Sequence, residues 1–361
     1  LTMILKKVVS TAKEISKNQN IMILGSAFIA SLTFTFSDSF WYNAVEAEVY
    51  AMATFLIALL FWLGLRWEQE FETPRGNKWL LIISLVIGLS FGVHFMALLA
   101  FPAIGFLYFF KKYKTVTVKS FLIANVVIIA ILLFIFKLLL PYTLAFFGKT
   151  EIFMVNSLGM PFNSGTIFAF LLIIAAFYFG LNYTKKKGHV FYNTLILATL
   201  FILIGFSTWL MLPIRANANT PINENKPSDA AEVLAYYNRE QYGEQKLFYG
   251  PQFSDTYAGL DPETPYLDGK PNYERDYKTG KYIITNNFKN ATQNTDDAHK
   301  ALLPRMWSNE HNVNYMTFGE PLEFRINPEY SHEDELVQIV TEFRKAHANG
   351  DVDLKDYDKF L

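Results

Sequence analysis

The sequence predicts a mainly α-helical, polytopic membrane protein of about seven spans, followed by a mixed, loop-rich extracytoplasmic segment. Three observations predict it. The 361 residues are 52% hydrophobic, and almost all of the apolar excess precedes Pro213. Before that point the apolar residues fall into runs close to the roughly 20 that a bilayer-crossing helix requires. After it, Asn, Asp, Glu, Lys, Tyr and Pro dominate, a composition suited to water. The expected organisation is a basic cytoplasmic segment over 1–19, a transmembrane domain over 20–212 and an extracytoplasmic segment over 213–361.

In chain order, spans are expected near 20–37, 45–65, 79–95, 97–110, 120–141, 163–184 and 190–212. The third and fourth belong to one apolar run, which as a single helix would be roughly 48 Å long at 1.5 Å per residue. Charge decides how to divide it. Lys6, Lys7, Lys13 and Lys17 precede the first span, and Arg66, Arg75 and Lys78 follow the second. Lys111, Lys112, Lys114 and Lys119 follow the fourth, and Lys185, Lys186 and Lys187 follow the sixth. A hairpin at Gly92-Val93-His94 puts all four clusters on one side, which the positive-inside tendency makes cytoplasmic. A single long helix would split them.

On this topology the outer face collects Asp38–Ala44, the turn at 92–94, a loop over 141–162 and everything after Leu212. The stretch 148–165 is apolar yet broken by Gly159, Pro161 and Gly165. It is expected to lie along the interface or to re-enter the protein, because irregular backbone is not stable when exposed to lipid. Pro213, Pro221 and Pro227 then prevent long regular elements. Ser228 is the expected N-cap of a helix over 229–240, loops with short strands follow over 242–281, and a last helix over 332–347 starts after Ser331 and stops at Asn349-Gly350.

Composition also excludes function classes. Without cysteine there is no disulfide framework, thiolate metal site or Cys nucleophile. A formal net charge of −1, with the lysines grouped beside apolar runs, gives no basic surface for nucleic acid. Neither a Walker loop nor a Gly-x-Ser-x-Gly motif is present. Leu1–Asn20 lacks the pattern of a cleavable signal peptide. Asn290-Ala291-Thr292 is a glycosylation sequon, a weak signal.

The chemistry concentrates in Ser37–Tyr50, where Asp38, Glu46 and Glu48 interrupt the apolar sequence. An ionised carboxylate at the bilayer centre costs at least ~2.5 to 3.5 kcal/mol, so such groups face polar cavities or sit at the interface. If a helix already begins near Val45, Glu46 shares a face with Asn43, Tyr50 and Thr54, whereas Glu48 faces Ala44, Met52 and Phe55. That favours Glu46 for chemistry over Glu48. The competing reading is that both are simply hydrated at headgroup level.

His94 follows Gly88 and Gly92, four apart and suited to close helix approach. It could bind a phosphate or a metal or move a proton, or it is a satisfied histidine behind a packing pair. No second ligand at metal spacing accompanies it. Arg215, beside Asn217 and Asn219, could hold a lipid phosphate or merely anchor a span. Asn156 in the broken 148–165 stretch, and Asn238 with Arg239 in the run Tyr236–Gly243, supply the polar groups typical of sugar sites. An ordinary helix end would contain similar residues.

Five segments together resemble glycosyltransferase family 117, bacterial membrane proteins also described as protein O-mannosyltransferase-like. They are Ser37–Ala51, Gly88–His94, Pro161–Gly165, Pro213–Asn225 and Tyr237–Gly243. The resemblance implies a GT-C-like enzyme that transfers a sugar, mannose among the candidates, from a polyprenyl-phosphate donor to a protein or glycan acceptor outside the membrane. It implies Asp38, Glu46 or Glu48 as base or acceptor-positioning carboxylate, and His94, Asn156, Arg215, Asn217, Asn238 and Arg239 as substrate-binding residues. The lipid bilayer is the implied environment, in a bacterial inner membrane with residues 213–361 periplasmic. The cofactor is left open, a divalent metal included. Family members carry an earlier Phe-Trp-Asp-x-Gly-Glu-like segment that has no counterpart here, so the chain is expected to be an internal fragment with the main catalytic carboxylate upstream. The alternatives are a non-catalytic membrane component that holds partners or glycans and, with no inverted repeat to support it, a secondary transporter.

Overall fold

The computed structural model describes residues 1–9, 15–73, 75–218, 220–240, 248–251, 260–297, 300–304 and 332–352. Lys13, Asn219, residues 241–243 and Ser331, all used in the sequence reading, lie outside these, as does part of the expected loop region over 242–281. The chain divides into two compact units, Leu1–Asn238 and Arg239–Leu361.

The first unit is helical. It contains α1 (Thr2–Val9), α2 (Lys17–Thr35), α3 (Asp38–Val45), α4 (Tyr50–Gln69), α5 (Asn77–Phe91) and, after a 3₁₀ turn at Phe95–Ala100, α6 (Phe101–Lys112). Next come α7 (Val118–Leu133), a π turn at Phe134–Leu139, α8 (Leu140–Asn156), α9 (Ser164–Lys186) and α10 (Val190–Phe206). A 3₁₀ turn at Ser207–Leu210 leads into α11 (Met211–Ala216), and α12 (Ala230–Asn238) closes the unit. Among the described residues five helical stretches are long and apolar enough to cross a membrane, or six if α2 and α3, bent by 59°, count as one. The apolar α5 is shorter, at 15 residues.

Local chemistry explains the starts. Ser16 accepts from the Gln19 amide while the Gln19 side chain accepts from the Ser16 amide, a capping box for α2. Thr117 and Ser120 repeat it for α7. The second span begins at Tyr50 rather than 45, because the chain leaves helix at Glu46, where ψ is 158°.

The expected loop over 141–162 is a correction: Val118–Asn156 is continuous helix. Pro141 suggested a break, but the helix passes it, with the proline at the start of α8 directly after the π turn. The π turn absorbs the remaining mismatch. Its i→i−5 register joins the Leu140 amide to the Ile135 carbonyl, so the next carbonyl, Phe136, would look to residue 141, a proline without a donor. The Tyr237 hydroxyl donates to that carbonyl instead, at 2.7 Å.

Ring and glycine contacts give the helix directions. Tyr50 meets His94 and Trp62 meets Trp79, so α4 and α5 are antiparallel. Gly64 faces Ile104 and Trp67 stacks on Tyr108, so α4 and α6 are parallel. α5 and α6 therefore run in opposite directions, as a hairpin at 92–94 requires. α5 and α10 run parallel, Asn77 meeting Thr194 near one end and Gly92 meeting Thr208 near the other, and they are in intimate contact: a Cβ on Gly88 would lie 2.1 Å from the Ile202 carbonyl, and one on Gly205 would lie 2.4 Å from that of Leu85. Gly92 is equally close to Thr208.

The compact helical unit takes in α11 and α12 and extends to Asn238. The cap of α12 is Asp229 rather than Ser228. Asp229 Oδ1 accepts from the Ala231 and Glu232 amides, and the Glu232 carboxylate accepts from the Ser228 and Asp229 amides. Ser228 contributes its hydroxyl to Glu232.

The second unit is strand-poor. Among its described residues three antiparallel pairs are nested in sequence: β1 (Tyr249–Pro251) with β6 (Lys300–Leu302), β2 (Tyr266–Leu267) with β5 (Thr292–Gln293), and β3 (Asn272–Asp276) with β4 (Lys281–Asn286). A helix α13 (Asp334–Asn349) buries Val340 and Phe343 and ends at Gly350, whose φ of 79° is the left-handed cap that glycine favours.

Candidate functional site

The two ends of the helical unit differ chemically. One gathers the basic clusters: Lys7 pairs with Glu68, Trp67 stacks on Tyr108 near Lys111, and Asn77 donates to Thr194 at the start of α10, just after Lys185–Lys187. The other carries the carboxylates, His94 and the junction with α12.

At this second end Asp38 opens α3 and is exposed. Glu46 ends α3 in extended backbone and Glu48 lies in the break before α4; both are exposed. The expected polar stripe along one helix from Asn43 through Glu46 to Thr54 is not formed, because the break at 46–49 divides it. Among the described residues no hydrogen bond or ion pair joins the three carboxylates to one another, to His94 or to Arg215.

His94 is half-buried against Tyr50, ring centroids 5.5 Å apart, with Tyr50 two residues beyond Glu48. Its Nδ1 accepts from the Met96 amide at 3.1 Å, so in the neutral ring the proton sits on Nε2, a donor. The glycines before it pack on Gly205 and Thr208, so the histidine and its packing pair are both present. Trp209 donates its indole N–H to the Phe91 carbonyl at 2.8 Å, which holds α11 beside this turn. Arg215, in the last turn of α11, is exposed.

Asn217 is committed to the scaffold. Its Nδ2 donates to the Pro213 carbonyl at 2.7 Å and to the Ser228 carbonyl at 2.9 Å, and Asn223 donates to the Ala216 carbonyl. Together they fasten the proline-rich turn to α11. Asn156 ends α8 at half burial, and Asn238 is the exposed last residue of α12. Arg239 follows with a left-handed φ of 58°. No described contact gathers these residues with the carboxylates into one constellation.

Sequence reasoning missed two residues that organise this end. Glu151, 3% exposed, accepts from the Asn163 amide at 2.5 Å and from both the amide (2.8 Å) and the hydroxyl (3.1 Å) of Thr166. It caps α9 where Gly165 lets that helix touch α8: a Cβ there would lie 2.4 Å from the Glu151 Cα. A lone carboxylate in the apolar 148–165 stretch was its signal. Tyr237, four residues after buried Val233 on α12, inserts among Phe91, Phe95, Phe136, Phe206 and Trp209. Burial pushes its phenol well above the usual tyrosine range, so it stays protonated as a donor.

The residues at this end include exposed carboxylates, which as a class can accept a proton from a hydroxyl, and imidazole and guanidinium groups, which can donate to an anion. Residues 1–117 match the family described as the protein O-mannosyl-transferase TMEM260 N-terminal domain, a stretch that takes in Asp38, Glu46, Glu48 and His94. Residues 243–340 match a family of unknown function (DUF8416). No curated protein and no solved structure matches the chain.

Proposed function

We propose that this chain is part of a membrane glycosyltransferase of the protein O-mannosyltransferase type, allied to glycosyltransferase family 117. It takes a sugar, mannose in the first instance, from a polyprenyl-phosphate donor and transfers it to a protein or glycan hydroxyl on the extracytoplasmic side. The match of residues 1–117 to an O-mannosyl-transferase domain carries the reading. The collection of basic clusters at the opposite end supports the sidedness by the positive-inside tendency. In this reading residues 213–361 face the periplasm of a bacterial cell.

Transfer joins the acceptor oxygen to the anomeric carbon and breaks the bond from that carbon to the lipid phosphate. Glu46 takes the acceptor proton, with Asp38 and Glu48 positioning the acceptor. The departing phosphate is met by Arg215 and the Nε2–H of His94. Asn156, Asn238 and Arg239 contact sugar or acceptor. The test is the complete protein in membranes with a labelled polyprenyl-phosphate mannose. Glu46→Gln and Arg215→Ala are expected to reduce transfer about 10²-fold or more at equal protein level, the range of general acid–base contributions. Unchanged transfer would remove those residues from the site, and no transfer by the wild type would leave the non-catalytic reading.

A further inference from the structure

Between the last turn of α8 and the first of α9 the chain carries no charge, and its apolar side chains are uncovered. Leu158 and Met160 are 58% and 43% exposed, and Phe153 near the end of α8 is 57% exposed. The loop is nonetheless held in one shape. Met160 donates its amide to the Met154 carbonyl at 3.1 Å and Ser164 to the Pro161 carbonyl at 3.2 Å, while Glu151 takes the Asn163 amide. Gly159 and Asn163 supply the left-handed turns, with φ of 67° and 71°. A fixed loop that turns Leu and Met outward needs an apolar neighbour.

Helix length identifies that neighbour. From Ile152 to Thr184 no residue is charged, and Lys185, Lys186 and Lys187 end the run. Charges are costly in hydrocarbon, so three consecutive lysines hold that end of α9 at headgroup level. The 23 residues of α9 reach about 35 Å at most, against about 30 Å for the hydrocarbon core. The start of α9 therefore lies at the opposite boundary of the core, and any tilt lowers it. The loop joined to it cannot stand clear of the membrane. Nor does it lie deeper, because Ser157 is exposed and irregular backbone follows it, which needs the water of the headgroup region.

We propose that residues 157–163 sit in the interface of the leaflet opposite Lys185–Lys187, with Phe153, Leu158 and Met160 among the upper acyl chains and Ser157 at headgroup level. Apolar side chains at that depth anchor the α8–α9 hairpin to the bilayer surface. The inference rests on helix length and exposure and is independent of the proposed transfer reaction.

The complete protein in phosphatidylcholine nanodiscs provides the test. These 361 residues hold no cysteine, so Leu158→Cys and Met160→Cys each give one labelling position once any cysteine elsewhere in the complete protein is replaced. A polarity-sensitive fluorophore at either position is expected to emit to the blue of the same label in water. It is also expected to be quenched most by phosphatidylcholine spin-labelled just below the headgroup. Ile174→Cys, midway along α9, is the standard for the core and is expected to be quenched most by a spin label near the end of the acyl chain. Absence of quenching by either lipid overturns the proposal, and aqueous iodide then tells a loop in water from one covered by protein. A depth equal to that of Ile174 overturns the interfacial placement. In the unsubstituted protein, phosphatidylcholine with a photoreactive group near the headgroup is expected to tag residues 153–163. No tag there, with α9 tagged by a lipid reactive at its chain end, would overturn it as well.

Discussion

Glu151 and Tyr237 show how single polar groups make close helix contacts tolerable. A buried carboxylate is costly unless donors surround it, and Glu151 meets three from the start of α9, where the helix dipole also favours negative charge. Glu151→Ala removes the acceptor of those three donors. The expected loss is about 1 to 3 kcal/mol, read as a lower thermal midpoint of the detergent-solubilised protein, with Glu151→Gln intermediate. Tyr237 answers a different deficit, the Phe136 carbonyl that Pro141 leaves unserved. Tyr237→Phe keeps the ring contacts and removes only the donor. It is expected to cost about 1 to 3 kcal/mol and to speed amide exchange across residues 134–140. Neither role was visible in the residue type. Glu151 stood out only as a charge in an apolar stretch, and Tyr237 only as part of a run that also suited a sugar site.

Among the elements, the α5–α10 pair is the tightest, and glycine is the reason. Gly88 and Gly205 bring two backbones within reach of each other, and any side chain there would have to displace main chain rather than a flexible side chain. Gly205→Ala is expected to destabilise by about 1 to 3 kcal/mol, the usual cost of overpacking, whereas Gly25→Ala on α2, where a Cβ meets nothing within 4 Å, is expected to be neutral or slightly stabilising. Thermal scans of both variants in one detergent check the contrast. The spacing of Gly88 and Gly92 announced a close approach, but not its partner, since a small-residue pattern gives no address. The same limit explains α7–α8. Apolar periodicity placed a span at 120–141, yet whether Pro141 ends the helix depends on the π turn and on a hydroxyl supplied from residue 237, about a hundred residues later in the sequence.

For the whole molecule, the two units respond to different variables. The second unit relies on turns in which carboxylates accept from nearby donors. The Thr264 amide, with help from the Thr264 hydroxyl and the Glu263 amide, holds Asp261 below the usual carboxylate range. The Thr279 hydroxyl and the Lys278 amide do the same for Asp276. A lowered folded-state value means that the stabilisation is present above the ordinary value of about 3.9 and is lost as pH falls through the folded one. The turns at 261–264 and 276–280 are therefore expected to hold from neutrality down to about pH 4 and to open below it, which amide exchange over those residues measures. Asp261→Asn and Asp276→Asn should flatten the response.

What the sequence determined by itself is the class of the protein: apolar runs of bilayer length, a polar remainder, and lysine clusters whose register demanded a hairpin at 92–94. These are one-dimensional properties, because solvation and charge act on each segment alone. The chemistry of Asp38, Glu46, Glu48, His94 and Arg215 was legible as a set of candidate types. Only the tertiary structure decided that Glu46 and Glu48 flank a break instead of lining a helix, that Asn217 is occupied by backbone carbonyls, and that Glu151 and Tyr237 hold the end on which those candidates sit. The physical reason is that a polar group's role follows from the donors and acceptors left beside it after packing, and packing joins residues that the sequence keeps far apart.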